Sequence, residues 1–130
     1  MKRLIVLQIF LVTAVLCQAQ YSKEKITSTL TGDNVKSWSA TGINTELPEK
    51  KFSFNKNNSV VIEYSKGTTK NDKWTLTSPD KIRWFLSIGN ITYELIISYD
   101  KKGNEYIKLT HQAGDNKTSG YYEIKLNAIK

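Results

Sequence analysis

From Val35 onward the chain alternates apolar and polar residues with a period of two, the mark of strands that bury one face. Trp38 and Ala40 share one face of a first strand, opposite Ser37 and Ser39. Phe52 and Phe54 alternate with Lys51 and Ser53, and Val60, Ile62 and Tyr64 with Val61, Glu63 and Ser65. Trp74 and Leu76 alternate with Lys73, Thr75 and Thr77. Ile82, Trp84, Leu86 and Ile88 are predicted on one face, with Lys81, Arg83 and Ser87 on the other. Ile91, Tyr93, Leu95 and Ile97 answer them across Gly89-Asn90, a two-residue hairpin of the primed-turn type. Ile107, Leu109 and His111 follow, and Tyr122, Ile124 and Leu126 end the series.

Turn chemistry separates these runs. Asn55-Lys56-Asn57-Asn58, Lys66-Gly67-Thr68, Ser78-Pro79-Asp80 and Asp100 to Asn104 each carry residues suited to reversing the backbone, and Gln112 to Ser119 is a longer polar loop. The pattern predicts about eight strands, spaced roughly ten residues apart, with no helical periodicity between them. That pattern argues against parallel crossovers. The expected fold class is all-β: an antiparallel meander that closes into a small barrel or folds into a flattened sandwich.

The chain before Val35 reads differently. Met1-Lys2-Arg3 precedes an apolar run from Leu4 to Leu16, broken by Gln8 and Thr13, and Cys17-Gln18-Ala19 follows. Two positive charges, a short apolar core and small residues ahead of a cleavage point make an export signal. The run is shorter than the roughly 20 residues of a membrane-spanning helix. Residues 1–19 are therefore expected to be a signal helix cleaved after Ala19, against the alternatives of an uncleaved anchor and of lipidation at Cys17. Lipidation wants a small residue before the cysteine, where this chain has Leu16. Residues 20–32 form a lead-in in which Lys23 to Leu30 can make one or two helical turns, and residues 33–130 form the β domain. The expected location is the periplasm or the exterior, with membrane contact only if Cys17 is lipidated.

Cleavage changes the composition. The whole chain carries a formal charge of +7, and losing Lys2 and Arg3 lowers it to +5. The sole cysteine also leaves, and with it any disulfide or thiolate site. The remaining lysines are spread over turns and strand ends, where they solvate the surface and keep strand edges from associating. A patch for acidic glycans is the sharper alternative. Export makes nucleic acid an improbable partner.

Leu30-Thr31-Gly32, Trp38, Lys51-Phe52-Ser53-Phe54 with its Asn-rich turn, Lys73-Trp74-Thr75-Leu76 and Ile91-Thr92-Tyr93-Glu94-Leu95 follow one another in an order that resembles the lipocalin-like domains of small exported bacterial proteins, common among the Bacteroidetes. The resemblance spans residues 30–126 and implies a small meandering barrel. The chain has a longer Gly32-to-Trp38 spacing than lipocalins and no Thr-Asp-Tyr motif, so no ligand residues carry over.

Candidate chemistry is sparse. His111 is the sole histidine and suits a barrel rim. Asp33, Asp72, Asp80, Asp100 and Asp115 fall in predicted turns, and Glu63, Glu94 and Glu123 alternate away from the apolar set. No phosphate loop or nucleophile elbow is present. The expectation is a protein that is not an enzyme and uses no cofactor or metal. Trp38, Phe54, Tyr64, Trp74, Trp84, Tyr93 and Tyr122 fall on the predicted inner face. They either fill the barrel or line a cavity for an apolar ligand or a sugar ring. The expected function is an exported binding domain for a small apolar ligand. The alternatives are an inhibitor or immunity-type module that binds an envelope or extracellular protein, and an adhesin for acidic glycans.

Overall fold

The computed structural model describes residues 21–43, 46–112 and 121–129, apart from the side chains of Gln112, Tyr121 and Tyr122. The segment expected to be an export signal, with Cys17 and the expected cleavage point after Ala19, lies outside the described residues, as does Asp115. Among the described residues, one helix, α1 (Lys23–Thr31), precedes eight strands. These are β1 (Val35–Gly42), β2 (Glu49–Asn55), β3 (Ser59–Tyr64), β4 (Thr69–Thr77), β5 (Trp84–Ile88), β6 (Ile91–Tyr99), β7 (Glu105–Gln112) and β8 (Tyr121–Ala128). Each strand pairs antiparallel with its sequence neighbour, and β8 pairs back onto β1, so the ladder closes into a barrel. Of the two architectures expected, the barrel is the one formed.

The alternation in sequence becomes the wall of this barrel. Trp38 on β1 pairs with Phe52 on β2, which pairs with Ile62 on β3, so one inward row crosses three strands. A separate inward pair, Leu109 on β7 opposite Ile124 on β8, lines the other side of the barrel. These side chains form a single buried cluster. Outward rows carry Ser37 hydrogen-bonded to Ser53 and Lys51 paired with Glu63.

Helix α1 is a weak helix on its own residues. Five of its nine are Thr, Ser or Ile, and isolated helices of that length are unstable. Ser22 caps it, its Oγ accepting the Lys25 N–H at 3.1 Å. Ile26 and Leu30, one turn apart on the same face, are buried in the barrel core. The chain leaves the helix through Gly32, whose φ of +60° suits glycine, while the Gly32 N–H donates to Ser28 O. The segment expected as a lead-in is thus a plug. It lies at the end of the barrel where β1 begins, here termed the helix end. The opposite, distal end carries the β1–β2 connection and the turns β3–β4 and β5–β6.

Three sequence expectations are corrected. Ile82 is 77% exposed and lies outside the sheet. The Asp80 carboxylate accepts the backbone N–H groups of Ile82 and Arg83 at 2.9 and 2.7 Å, so the turn runs on to Arg83 and strand pairing starts at Trp84. Ile91 keeps the inward parity, paired with buried Ile88, but at the hairpin end it is 43% exposed rather than buried. Asp72 lies within β4, which begins at Thr69. There β4 outruns β5, and the β5–β6 hairpin tip rests against it. Gly89 N–H donates to Lys73 O at 2.9 Å, and a Cβ on Gly89 would collide with the Asp72 carboxylate. The left-handed φ of Gly89 requires glycine, and a Cβ there would also push the Asp72 carboxylate aside.

Candidate functional site

The inward aromatic residues divide between the two ends. Phe54 and Trp74 meet edge to face with ring centroids 6.2 Å apart, and Trp38, Phe54 and Trp74 are all buried. Trp84 is half-buried and packs against the same cluster. Each tryptophan donates its indole N–H to a backbone carbonyl. Trp38 binds Leu30 O at 2.9 Å, Trp74 binds Asn55 O at 2.9 Å, and Trp84 binds Tyr21 O at 3.0 Å. Two of these three carbonyls belong to α1 or its approach. The tryptophans therefore seat the helix, and their polar atoms are already used. The Tyr99 phenol, which donates to Glu105 Oε2 at 3.3 Å, has its pKa raised chiefly by the neighbouring Tyr21 phenol and then by Glu105.

The other predicted residues gather at the distal end. Tyr93 is buried and meets the His111 ring edge-on at 5.6 Å, and His111 Nδ1 lies 3.2 Å from Thr92 O. Tyr122 stands opposite His111 in the β7–β8 register, its side chain outside the described residues. Tyr64, half-buried at the end of β3, lines a cavity of about 560 Å³ with Leu47, Pro48 and Thr68. Glu46, Ser65 and Lys66 complete its wall.

This cavity is built by two connections clamped together. Ser65 donates both its N–H and its hydroxyl to Pro48 O, at 2.9 and 3.2 Å. Tyr64 N–H donates to Thr68 O, and Gly67 N–H to Tyr64 O, both at 2.9 Å, closing the β3–β4 turn. Leu47 is buried and anchors the β1–β2 connection in the core. Leu47, Pro48 and Tyr64 give the cavity its apolar wall, and Ser65 and Thr68 its polar one. Glu46 and Lys66 bring charges of opposite sign to the rim. The arrangement offers an apolar body a surface to lie on and polar groups at its edge.

Sequence reasoning found Tyr64 and missed its neighbours. Glu46 to Pro48 and Ser65 to Thr68 lie outside the alternating runs, where periodicity carries no information. An available signal was Leu47-Pro48, a large apolar residue fixed before a proline inside a polar connection.

Elsewhere the ionisable groups pair on the outside. Lys51 reaches Glu63 at 3.7 Å and Lys108 reaches Glu123 at 4.0 Å. Lys125 lies 4.5 Å from the Tyr106 ring centroid. Among the described residues no group of three or more His, Cys, Asp or Glu could hold a metal ion. No described helix is long and apolar enough to cross a membrane. No family model, curated protein or solved structure matches the chain.

Proposed function

We propose that the chain is an exported, non-enzymatic, lipocalin-like binding domain that takes a small ligand at the distal mouth of its barrel. The observation that carries this reading is the 560 Å³ cavity beside Tyr64, joining an apolar wall to hydroxyl and charged edges. Such a volume falls in the range of small-molecule sites. The barrel's centre is occupied by its own side chains, so the ligand expected within the barrel is assigned here to its rim instead. Export rests on the basic, apolar and small-residue order of residues 1–19.

Amide chemical-shift mapping against a panel of small amphipathic molecules tests the reading. Shifts should concentrate at Leu47, Tyr64 and Thr68, and Tyr64→Ala should weaken the best binder about tenfold, the scale of one lost aromatic contact. Silence at these residues across the panel overturns it. Intrinsic tryptophan fluorescence is a poor reporter, because the indoles sit toward the helix end.

A second reading, a protein-interaction module, is favoured by a separate observation. Val35, Ile82, Tyr99 and Ile129 are all largely exposed, and all four lie at the helix end. Ile43 and Ile91 are exposed too, at the distal end, so the helix end holds the larger share of exposed apolar groups, a feature of partner surfaces.

A further inference from the structure

The helix end holds a second, smaller cavity of about 180 Å³, which opens between the start of α1 and strands β5 and β6. Its walls include Tyr21, Ile26, Ile82, Trp84, Leu95 and Ile97. Ile26 is the informative member. It lines this cleft and is also 1% exposed within the barrel core. The cleft and the seat of the helix are therefore contiguous, separated by one side chain.

We propose that α1 is a displaceable plug, and that an uncharged apolar molecule enters this cleft by taking the place of Ile26 in the core. Four features carry the inference. The barrel ladder closes through β1 and β8 without using the helix, so lifting α1 breaks no strand pairing. The helix is short and rich in Thr and Ser, and it persists through its seat rather than its own propensity. Two indole N–H groups tie it down, Trp38 to Leu30 O and Trp84 to Tyr21 O, and the second comes from a side chain that is itself half-exposed cleft wall, so the approach can release first. Gly32 follows the helix and supplies a pivot. Ile26 moved outward leaves a dry pocket continuous with the cleft, and apolar pockets of that kind bind small apolar molecules.

The rim sets the ligand's charge. Arg83 is already held by Asp80 at 2.9 Å, and the other ionisable group on the cleft wall is Glu94. An anionic head group gains nothing there, so a neutral alkyl or aryl compound is selected over its carboxylate. This site is separate from the distal cavity, and neither requires the other.

The test uses decan-1-ol and decanoate as probes on the full chain. Decan-1-ol should shift the amides of Tyr21, Ile26 and Trp84 while leaving Leu47 and Tyr64 in place, and decanoate should bind more weakly. Ile26→Ala, which empties the seat, should tighten decan-1-ol binding about tenfold by removing the competing side chain. An affinity equal to or weaker than that of the unmodified chain, or shifts confined to Leu47 and Tyr64, overturns the proposal and leaves the distal site standing. Should Ile26→Ala fail to fold, native-state hydrogen exchange of the unmodified chain decides. Amides of α1 should exchange at least about tenfold faster than those of Ile107 and Leu109, through an opening of their own. Rates closer than that mean the helix leaves only on global unfolding, and the plug is then a fixed part of the core.

Discussion

At the helix end, indole N–H groups reach across to backbone carbonyls, and Ile26 and Leu30 sit deep in the core. At the distal end, two connections are clamped to each other by Ser65 and Pro48, and a cavity remains beside Tyr64. One end spends its aromatic residues on holding the fold, while the other leaves an aromatic ring against open space. The difference teaches that an inward-facing aromatic is not by itself a ligand contact. What its polar atom already binds decides between the two roles, and that was knowable only once partners were known.

The comparison is sharpest in leucine truncations. Leu30→Ala should cost about 4 kcal/mol, near the upper part of the range for a fully buried leucine, whereas Leu47→Ala at the cavity wall should cost about 2 kcal/mol. Chemical denaturation of both variants checks the order, and equal losses would erase the contrast between the ends. Removing polar ties gives a smaller effect of the same sign. Trp38→Phe strands the buried Leu30 carbonyl and should cost about 1–3 kcal/mol, while Ser65→Ala, at an exposed bond duplicated by its own N–H, should stay within about 0.5 kcal/mol. Thermal melts of the pair provide the measurement.

The smallest effect is a pH dependence at the helix end. Bonds from the Arg83 backbone N–H, the Arg83 guanidinium and the Ile82 N–H lower the Asp80 pKa from 3.8 to about 2. A carboxyl depressed in the folded state stabilises the fold above its unfolded pKa, and that contribution fades as pH falls through the folded value. Asp80→Asn should therefore lower the melting temperature slightly at pH 5, with the gap to the unmodified chain narrowing between about pH 4 and pH 2. A gap independent of pH across that window would mean the carboxylate's charge is not what holds the turn. Because Asp80 lies in the open, the effect is small and screened by salt.

Much of the fold was legible in the sequence because a two-residue period leaves little freedom about which side chains face in. Trp38, Phe54, Trp74, Leu109 and Leu126 went where the alternation put them. The pattern failed where a local hydrogen bond outranked it: Ile82 continues the period on paper, yet the Asp80 carboxylate captures its N–H and holds it in a turn. It also failed where length was at stake, since nothing in Thr69 to Asp72 announces a strand until β3 pairs with it. The candidate site was less legible still. Periodicity names one wall of a barrel, but a cavity forms where two aperiodic connections meet, and that meeting is a tertiary event.

The closing pair of strands bears on how the chain reaches this state. Ser39 on β1 donates to Asn127 on β8 across 88 residues of sequence. Until β8 arrives, β1 and β7 are both raw edges with unsatisfied backbone groups, open to pairing with another chain. A contact of such long range is slow to form, and it waits until β8 has been made. For this molecule the vulnerable interval comes before completion, and chaperoning of the β1 edge during that interval would matter more to its yield than the stability of the finished barrel.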